Sequence, residues 1–361
     1  MQLKPVVQWI RHPEGYWILR NPECVTFLQV DELDKRIICQ LGKRPLEQII
    51  AQYGVSLEEI KHLLKVLAAT GMLEGTQRPD KKFSLSQILY LKIPLFKPDR
   101  WLNKNVDLLR WIWTEQFAML LCGFFVQTLI VWFLYSTDIV TAHQQIWQKA
   151  LTGDWDQFLK LGGFTIFVIF LHELGHGFTL KHYGGIVPEI GLLLICFLPG
   201  FYTNTTDQYS LIRRRQRVLV VAAGVIVQIG IWAIAFWLFL LAPQGSELKE
   251  NSYLLMTASL LTVILNLNPL NKFDGYYLLV AGTGINNLRA RSLQFYQQLF
   301  RRERSPESPA DQMTLAFYGP LSVVYTFWAV AYFVSILGLW FSENSSLIFN
   351  FYKDIFFHLL N

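Results

Sequence analysis

The chain has 361 residues, of which 52% are hydrophobic, 15% aromatic and only 16% charged, with a net charge of +5. That much apolar mass excludes a disordered or collagen-like chain. Cys24, Cys39, Cys122 and Cys196 are scattered without a Cys-x-x-Cys pair, which excludes a disulfide scaffold and a cysteine metal site.

Charged and apolar residues fall in blocks. Residues 1–76 carry nine Lys and Arg and nine Asp and Glu, so this segment is electrically neutral. Val6–Arg11, Tyr16–Leu19 and Val25–Leu28 are β-branched or aromatic runs parted by Pro13-Glu14-Gly15 and Asn21-Pro22, which predicts three short strands. Three helices follow. Asp31–Cys39 is stopped by Gly42, and the second opens at Pro45 and ends at Gly54. In the third, Ser56 and Glu59 make a capping box, Ile60, Leu63, Leu64 and Leu67 form one apolar face, and Gly71 ends it.

Residues 77–110 form a basic connector rich in Pro and Trp. Long apolar runs come next: Phe117–Tyr135, Phe158–Leu180, Val218–Ala242, Tyr253–Leu265 and Phe317–Phe341. Four of them approach or exceed the ~20 residues that cross a ~30 Å hydrocarbon core. Tyr253–Leu265 counts as a span only if the Asn-Pro segment after it lies at membrane depth. The expected fold class is therefore a mainly α-helical polytopic membrane protein of five to six spans, with a small α+β winged-helix-like domain at its N-terminus. The expected domains are 1–76, a connector 77–110, a membrane domain 111–341 and a tail 342–361.

No basic start followed by an apolar core opens the chain, so the first apolar run is expected to act as the insertion signal. Basic residues gather in 78–110, 181–217 and 289–304, whereas the loops 136–157 and 243–252 hold only Lys149 and Lys249. Five spans put the three basic segments on one side. The positive-inside rule makes that side cytoplasmic, and the N-terminal domain with it. Leu347–Leu360 has the pattern of an interfacial or re-entrant helix. Ile190–Leu198 is too short for a helical crossing and is flanked by Pro188 and Pro199-Gly200. A re-entrant strand or hairpin, buried against protein or lining a wet cavity, is expected there.

The second apolar run ends in His172-Glu173-Leu174-Gly175-His176. On a helix, positions i and i+4 share a face, so both imidazoles can bind one Zn²⁺ while Glu173 acts on water as general base and later as proton donor. An ionisable cluster inside a membrane run is costly and usually functional. A third zinc ligand is needed. His182 follows His176 by six residues, but Thr179 stands where a turn-making Gly is required. Asp274 is the better candidate, in Asn266-Leu267-Asn268-Pro269-Leu270-Asn271-Lys272-Phe273-Asp274-Gly275, where Pro269 stops a helix and Gly275 allows a turn.

These paired motifs, in this order, resemble the site-2 protease family of intramembrane zinc metalloproteases over residues 110–341. The resemblance implies His172, His176 and Asp274 as zinc ligands and Glu173 as catalytic acid/base. It implies that Asn266 holds substrate or an oxyanion, and that an extended substrate strand adds beside Ile190–Leu198. Gly224 and Gln228 resemble a small-residue and polar motif on the next span. Tyr276-Tyr277 replace the second Gly common in the family, and no PDZ-like insert is apparent. The N-terminal 76 residues look like a PqqD-like domain, the fold that recognises leader peptides of ribosomally made, modified peptides.

The function expected is a membrane-embedded zinc metalloendopeptidase. Its partners would be the bilayer, a peptide or membrane-protein substrate, a leader peptide at the N-terminal domain and an export pump. Two rivals are a non-proteolytic zinc-binding export or maturation partner and a membrane-bound transcriptional sensor. The neutral charge of residues 1–76 argues against nucleic acid as a partner, because phosphate contacts need surplus Lys and Arg.

Overall fold

A computed structural model describes residues 2–76, 90–151, 155–195, 198–303 and 305–343. The chain packs as two units, Met1–Asn266 and Leu267–Asn361.

The first unit opens with strands β1 (Gln8–Arg11), β2 (Trp17–Asn21) and β3 (Thr26–Val30) in one antiparallel sheet of order β1-β2-β3. Helices α1 (Glu32–Gln40), α2 (Leu46–Tyr53) and α3 (Leu57–Ala69) follow, in the order that the sequence predicts. Local chemistry sets their ends. Asp31 caps α1 through the Asp34 N–H, Gly54 ends α2 in the left-handed conformation, and Ser56 and Glu59 close the expected capping box on α3. Leu19, Ile38, Ile49, Ile60, Leu67 and Met72 make one buried core between this sheet and these helices. Burying side chains of this size stabilises by about 1.5–3 kcal/mol each.

Residues 77–89 of the connector lie outside the described residues. The rest of it is ordered structure: strand β4 (Tyr90–Phe96), helix α4 (Asp99–Asn105) and a 3₁₀ segment, Val106–Trp113. Then come α5 (Glu115–Leu134), α6 (Ser136–Leu151), α7 (Asp156–His182), β5 (Ile190–Ile195), β6 (Leu198–Thr203), α8 (Arg214–Leu241) and α9 (Glu247–Asn266). Half of the most apolar window of α8 is buried inside the protein, against 6% for α5. Helix α8 is therefore the hub, packed on α7 and α9, and α5 presents its apolar surface outward. Trp237 donates to the Thr128 hydroxyl at 3.0 Å and ties α8 to α5.

Among the described residues, four helical stretches are long and apolar enough to cross a membrane: Glu115–Leu134, Asp156–His182, Arg214–Leu241 and Pro309–Tyr332. Tyr253–Leu265, the conditional fifth run, is the apolar part of α9, whose first turn carries Glu247 and Glu250.

The segment expected as a strand or hairpin lies in a three-stranded antiparallel sheet of order β4-β5-β6. Two details differ from the expectation. Pro199-Gly200, read as a boundary, lies within β6, where Pro199 faces Leu194. An edge strand tolerates Pro because its outer side needs no ladder donor. The connector also supplies β4, whose Lys92 and Ile93 face Leu193 and Leu192. Strand β5 is thus the middle strand, with no free edge.

In the second unit, α10 (Asp274–Thr283), α11 (Leu288–Phe300) and α12 (Pro309–Glu343) pack around Tyr276, Val280, Leu288, Leu315 and Tyr318. The expected helix at Leu347–Leu360 lies outside the described residues.

Candidate metal centre

His172 and His176 stand on α7, a 27-residue helix about 40 Å long. His172 and His176 are buried, at 3% and 6% exposure, about 15 and 9 Å from its C-terminal end. Two glycines bring α8 close enough to wall them in. A Cβ on Gly175 would lie 2.9 Å from Val227, and a Cβ on Gly224 would lie 2.4–2.6 Å from three atoms of the His172 ring. The His172 imidazole therefore lies directly on the backbone of α8.

The hydrogen bonds set the ring chemistry. His176 Nδ1 is 2.7 Å from the Val220 carbonyl oxygen, which only accepts. Nδ1 therefore carries a proton, and in the neutral form of the ring Nε2 offers a bare lone pair. That Nε2 lies 3.0 Å from Nε2 of His172. Two ring nitrogens at this distance are stable only with a shared proton or a cation between them. Tetrahedral zinc at ~2.0–2.1 Å from each nitrogen would hold them about 3.3 Å apart. The pair is within a few tenths of an ångström of that spacing, and the donor set fits zinc.

Glu173 is half-buried on the same helical turn, and its backbone carbonyl accepts from the Thr203 hydroxyl of β6 at 3.0 Å. Phe170 of α7 also packs edge-on against Phe201 of β6. Strand β6 is thus the strand of its sheet that lies along the His-Glu-x-x-His helix. Asn266, the last residue of α9, places its amide 3.4 Å from His172 Nδ1 and donates to the Gln228 side-chain oxygen at 3.3 Å. His182 is not part of this cluster. It stacks on Trp113, with ring centroids 4.3 Å apart.

In the second unit, Asp274 is half-buried and opens α10, where the helix dipole favours a carboxylate. The segment before it is non-helical, as the sequence predicts, and firmly tied. Asn268 donates to the Tyr325 hydroxyl at 2.6 Å and accepts from the Leu270 N–H, while Tyr318 donates to the Pro269 carbonyl at 3.1 Å. A Cβ on Gly275 would lie 2.3 Å from the Leu267 carbonyl oxygen, so only glycine allows this loop to close on itself.

Sequence reasoning missed the Val220 carbonyl, which is invisible to side-chain motifs. It also missed the tie between α7 and the segment after it. Asp99 accepts from Val187 N–H and from Lys181, both at 2.9 Å, and Asp207 accepts from Ile186 N–H at 2.5 Å. Two carboxylates from distant segments thus clamp adjacent peptide groups in the turn that leads from α7 to β5.

No protein-family profile matches the chain, and no solved structure matches it. One similar protein is "Putative peptide zinc metalloprotease protein YydH" of Bacillus subtilis (strain 168), 28% identical over 130 residues. The match covers 35% of this chain and 49% of that protein, so the chain spans about half the length of the curated relative it matches. The relative's name fits a zinc metalloprotease.

Proposed function

We propose that the chain is an intramembrane zinc endopeptidase of the site-2 protease type, in which His172 and His176 hold one zinc together with Asp274, the third ligand that the motif resemblance implies. The observation that carries this is the convergence of the two buried Nε2 atoms at 3.0 Å on a helix long and apolar enough to span a membrane. The name of the B. subtilis relative points the same way.

Zinc bound there supplies a Lewis acid that polarises a peptide carbonyl and makes water nucleophilic at neutral pH. The protein's own residues do the rest. Glu173, one residue past His172, takes the proton of the attacking water and passes it to the departing amine. Burial of the site keeps bulk water out and strengthens every charge interaction in it. The resemblance assigns Asn266 to the substrate carbonyl.

A helix hides its carbonyls, so the substrate must be extended where it is cut. Extended segments bind at sheet edges. Strand β5 has no edge to offer, and β4 lies two strand spacings, about 10 Å, beyond β6. The outer edge of β6 brings a substrate strand closest to Glu173, and we assign it that role.

The N-terminal domain is read as PqqD-like, binding a segment of the peptide substrate on the cytoplasmic side of a bacterial plasma membrane. Its strand-then-helix order and its charge balance support a peptide partner over nucleic acid.

The test is mass spectrometry of membrane-associated peptides from cells that express the chain or its Glu173→Gln variant. The expected result is a set of truncated peptides found only with intact Glu173. Identical peptide sets contradict the proposal.

A further inference from the structure

The geometry points to Asn266 and Gln228 as a two-amide relay that holds the His172 ring in its metal-binding tautomer, so that Asn266 is a positioning residue for the metal ligand. This rests on the reading of His172 and His176 as zinc ligands.

Three observations lead to it. First, both Nε2 atoms face the same point, so with zinc bound His172 must carry its proton on Nδ1, as His176 does. His176 Nδ1–H has a fixed acceptor in the Val220 carbonyl. His172 Nδ1–H needs one too, and the group at that position is the Asn266 amide, 3.4 Å away. Second, one atom of that amide serves both neighbours, lying 3.4 Å from His172 Nδ1 and 3.3 Å from the Gln228 side-chain oxygen. Third, Gln228 is fully buried and its Nε2 has no hydrogen-bond partner among the described residues. A buried N–H without an acceptor is rare and costly.

These three facts have one solution. Which end of an amide is oxygen is assigned from its hydrogen-bond network. With zinc on both Nε2 atoms, Asn266 turns its oxygen to the shared position and accepts from His172 Nδ1–H. Gln228 then turns as well, and its Nε2 donates to the same oxygen. The orphaned N–H gains its acceptor. A carbonyl oxygen takes its buried place, and that is the cheaper group to leave unpaired. Metal loading and the orientation of both amides are therefore one coupled event. Gly224, one helical turn before Gln228, lets the ring approach α8 closely enough for the relay to reach it.

The relay uses the Asn266 side-chain oxygen, whereas a contact with the substrate carbonyl would use its NH₂. The conservative variant separates the two, because Asn266→Asp keeps the acceptor and loses the donor.

The experiment uses the full-length chain in detergent and Co²⁺ as probe, with affinity read from its d–d absorption and the melting temperature of each metal-free variant as the control for folding. Wild type is expected to bind Co²⁺ and His172→Ala to lose it. Asn266→Leu and Gln228→Met weaken binding by about 10- to 100-fold, the usual cost of losing a group that orients a ligand. Asn266→Asp binds as tightly as wild type or tighter. In the Asn266→Asp background, Gln228→Met costs almost nothing, because a carboxylate has no donor end to turn away. Loss of affinity in Asn266→Asp equal to that in Asn266→Leu overturns the relay. So does an unchanged cost of Gln228→Met in the Asn266→Asp background. Equal Co²⁺ binding by wild type and His172→Ala instead removes the metal site itself, a separate result.

Discussion

Arg20 of β2 donates through Nε at 2.9 Å and through a second guanidinium nitrogen to both oxygens of Asp207, in the segment between β6 and α8. Asp207 is fully buried and also accepts from the Ile186 N–H. Strand β2 thus supplies the counter-charge to a carboxylate that clamps the turn after α7.

Arg20→Ala leaves that carboxylate buried with no cation beside it, and is expected to cost about 3–5 kcal/mol. The cost depends on pH in a definite sense. Burial pushes the Asp207 carboxyl above its ordinary range, and Arg20 pulls it back part of the way. A raised carboxyl favours the folded state most when protonated, so its contribution falls as pH rises. Without Arg20 the carboxyl rises further. The difference in stability between wild type and Arg20→Ala is therefore smallest below the unfolded pKa of Asp, about 3.9, and grows as pH rises above it. Denaturant melts of the detergent-solubilised chain between acid and neutral pH measure this. Adding Asp207→Asn to Arg20→Ala should recover part of the loss. A pH-independent difference would contradict the assignment.

Two glycines on α8 make a matched pair. A methyl group on Gly224 would press into the His172 ring, whereas one on Gly230 meets nothing within 4 Å. Gly224→Ala is expected to weaken zinc binding by at least about tenfold, the scale of a misoriented ligand. Gly230→Ala should leave binding unchanged and stabilise the helix by about 0.5–1 kcal/mol. Zinc competition with a chromophoric chelator reads both, and equal affinities would remove the close approach of His172 to α8 from the account.

The sheet permits a similar contrast. A Cβ on Gly191 of β5 would lie 2.2 Å from the Ile93 carbonyl oxygen and 2.8 Å from the Tyr202 ring, while one on Gly200 of β6 meets only the Leu193 oxygen at 3.8 Å. Gly191→Ala is expected to push β4 away at a cost of about 1–3 kcal/mol and to reduce cleavage while zinc content stays normal. Gly200→Ala should be tolerated. Peptide turnover measured beside metal content decides the matter, and lost zinc in Gly191→Ala would mean that the sheet holds the metal site together.

Local signals in the sequence were reliable guides. The capping box at Ser56 and Glu59, the glycine stop at Gly54 and the break around Pro269 act within a few residues and appear where expected. The i, i+4 spacing of His172 and His176 likewise needs only a helix to bring the rings together. Contacts between distant segments were not legible. Arg20 and Asp207 are 187 residues apart, and nothing in either neighbourhood marks the other. The pairing of β4 with β5 joins the connector to Ile190–Ile195 across about 100 residues, so the strand-or-hairpin reading of that segment lacked the β4 partner that makes β5 a middle strand. Asn266 was placed by motif, but its neighbours His172 and Gln228 come from two other helices. A linear motif names a residue without saying what it touches.

The most direct measurement of the central claim is the zinc content and peptide hydrolysis of the purified full chain beside its Glu173→Gln and His176→Ala variants. The account predicts about one zinc per chain in wild type and in Glu173→Gln, little in His176→Ala, and hydrolysis by wild type alone. Hydrolysis by Glu173→Gln at the wild-type rate, or full zinc in His176→Ala, would contradict it.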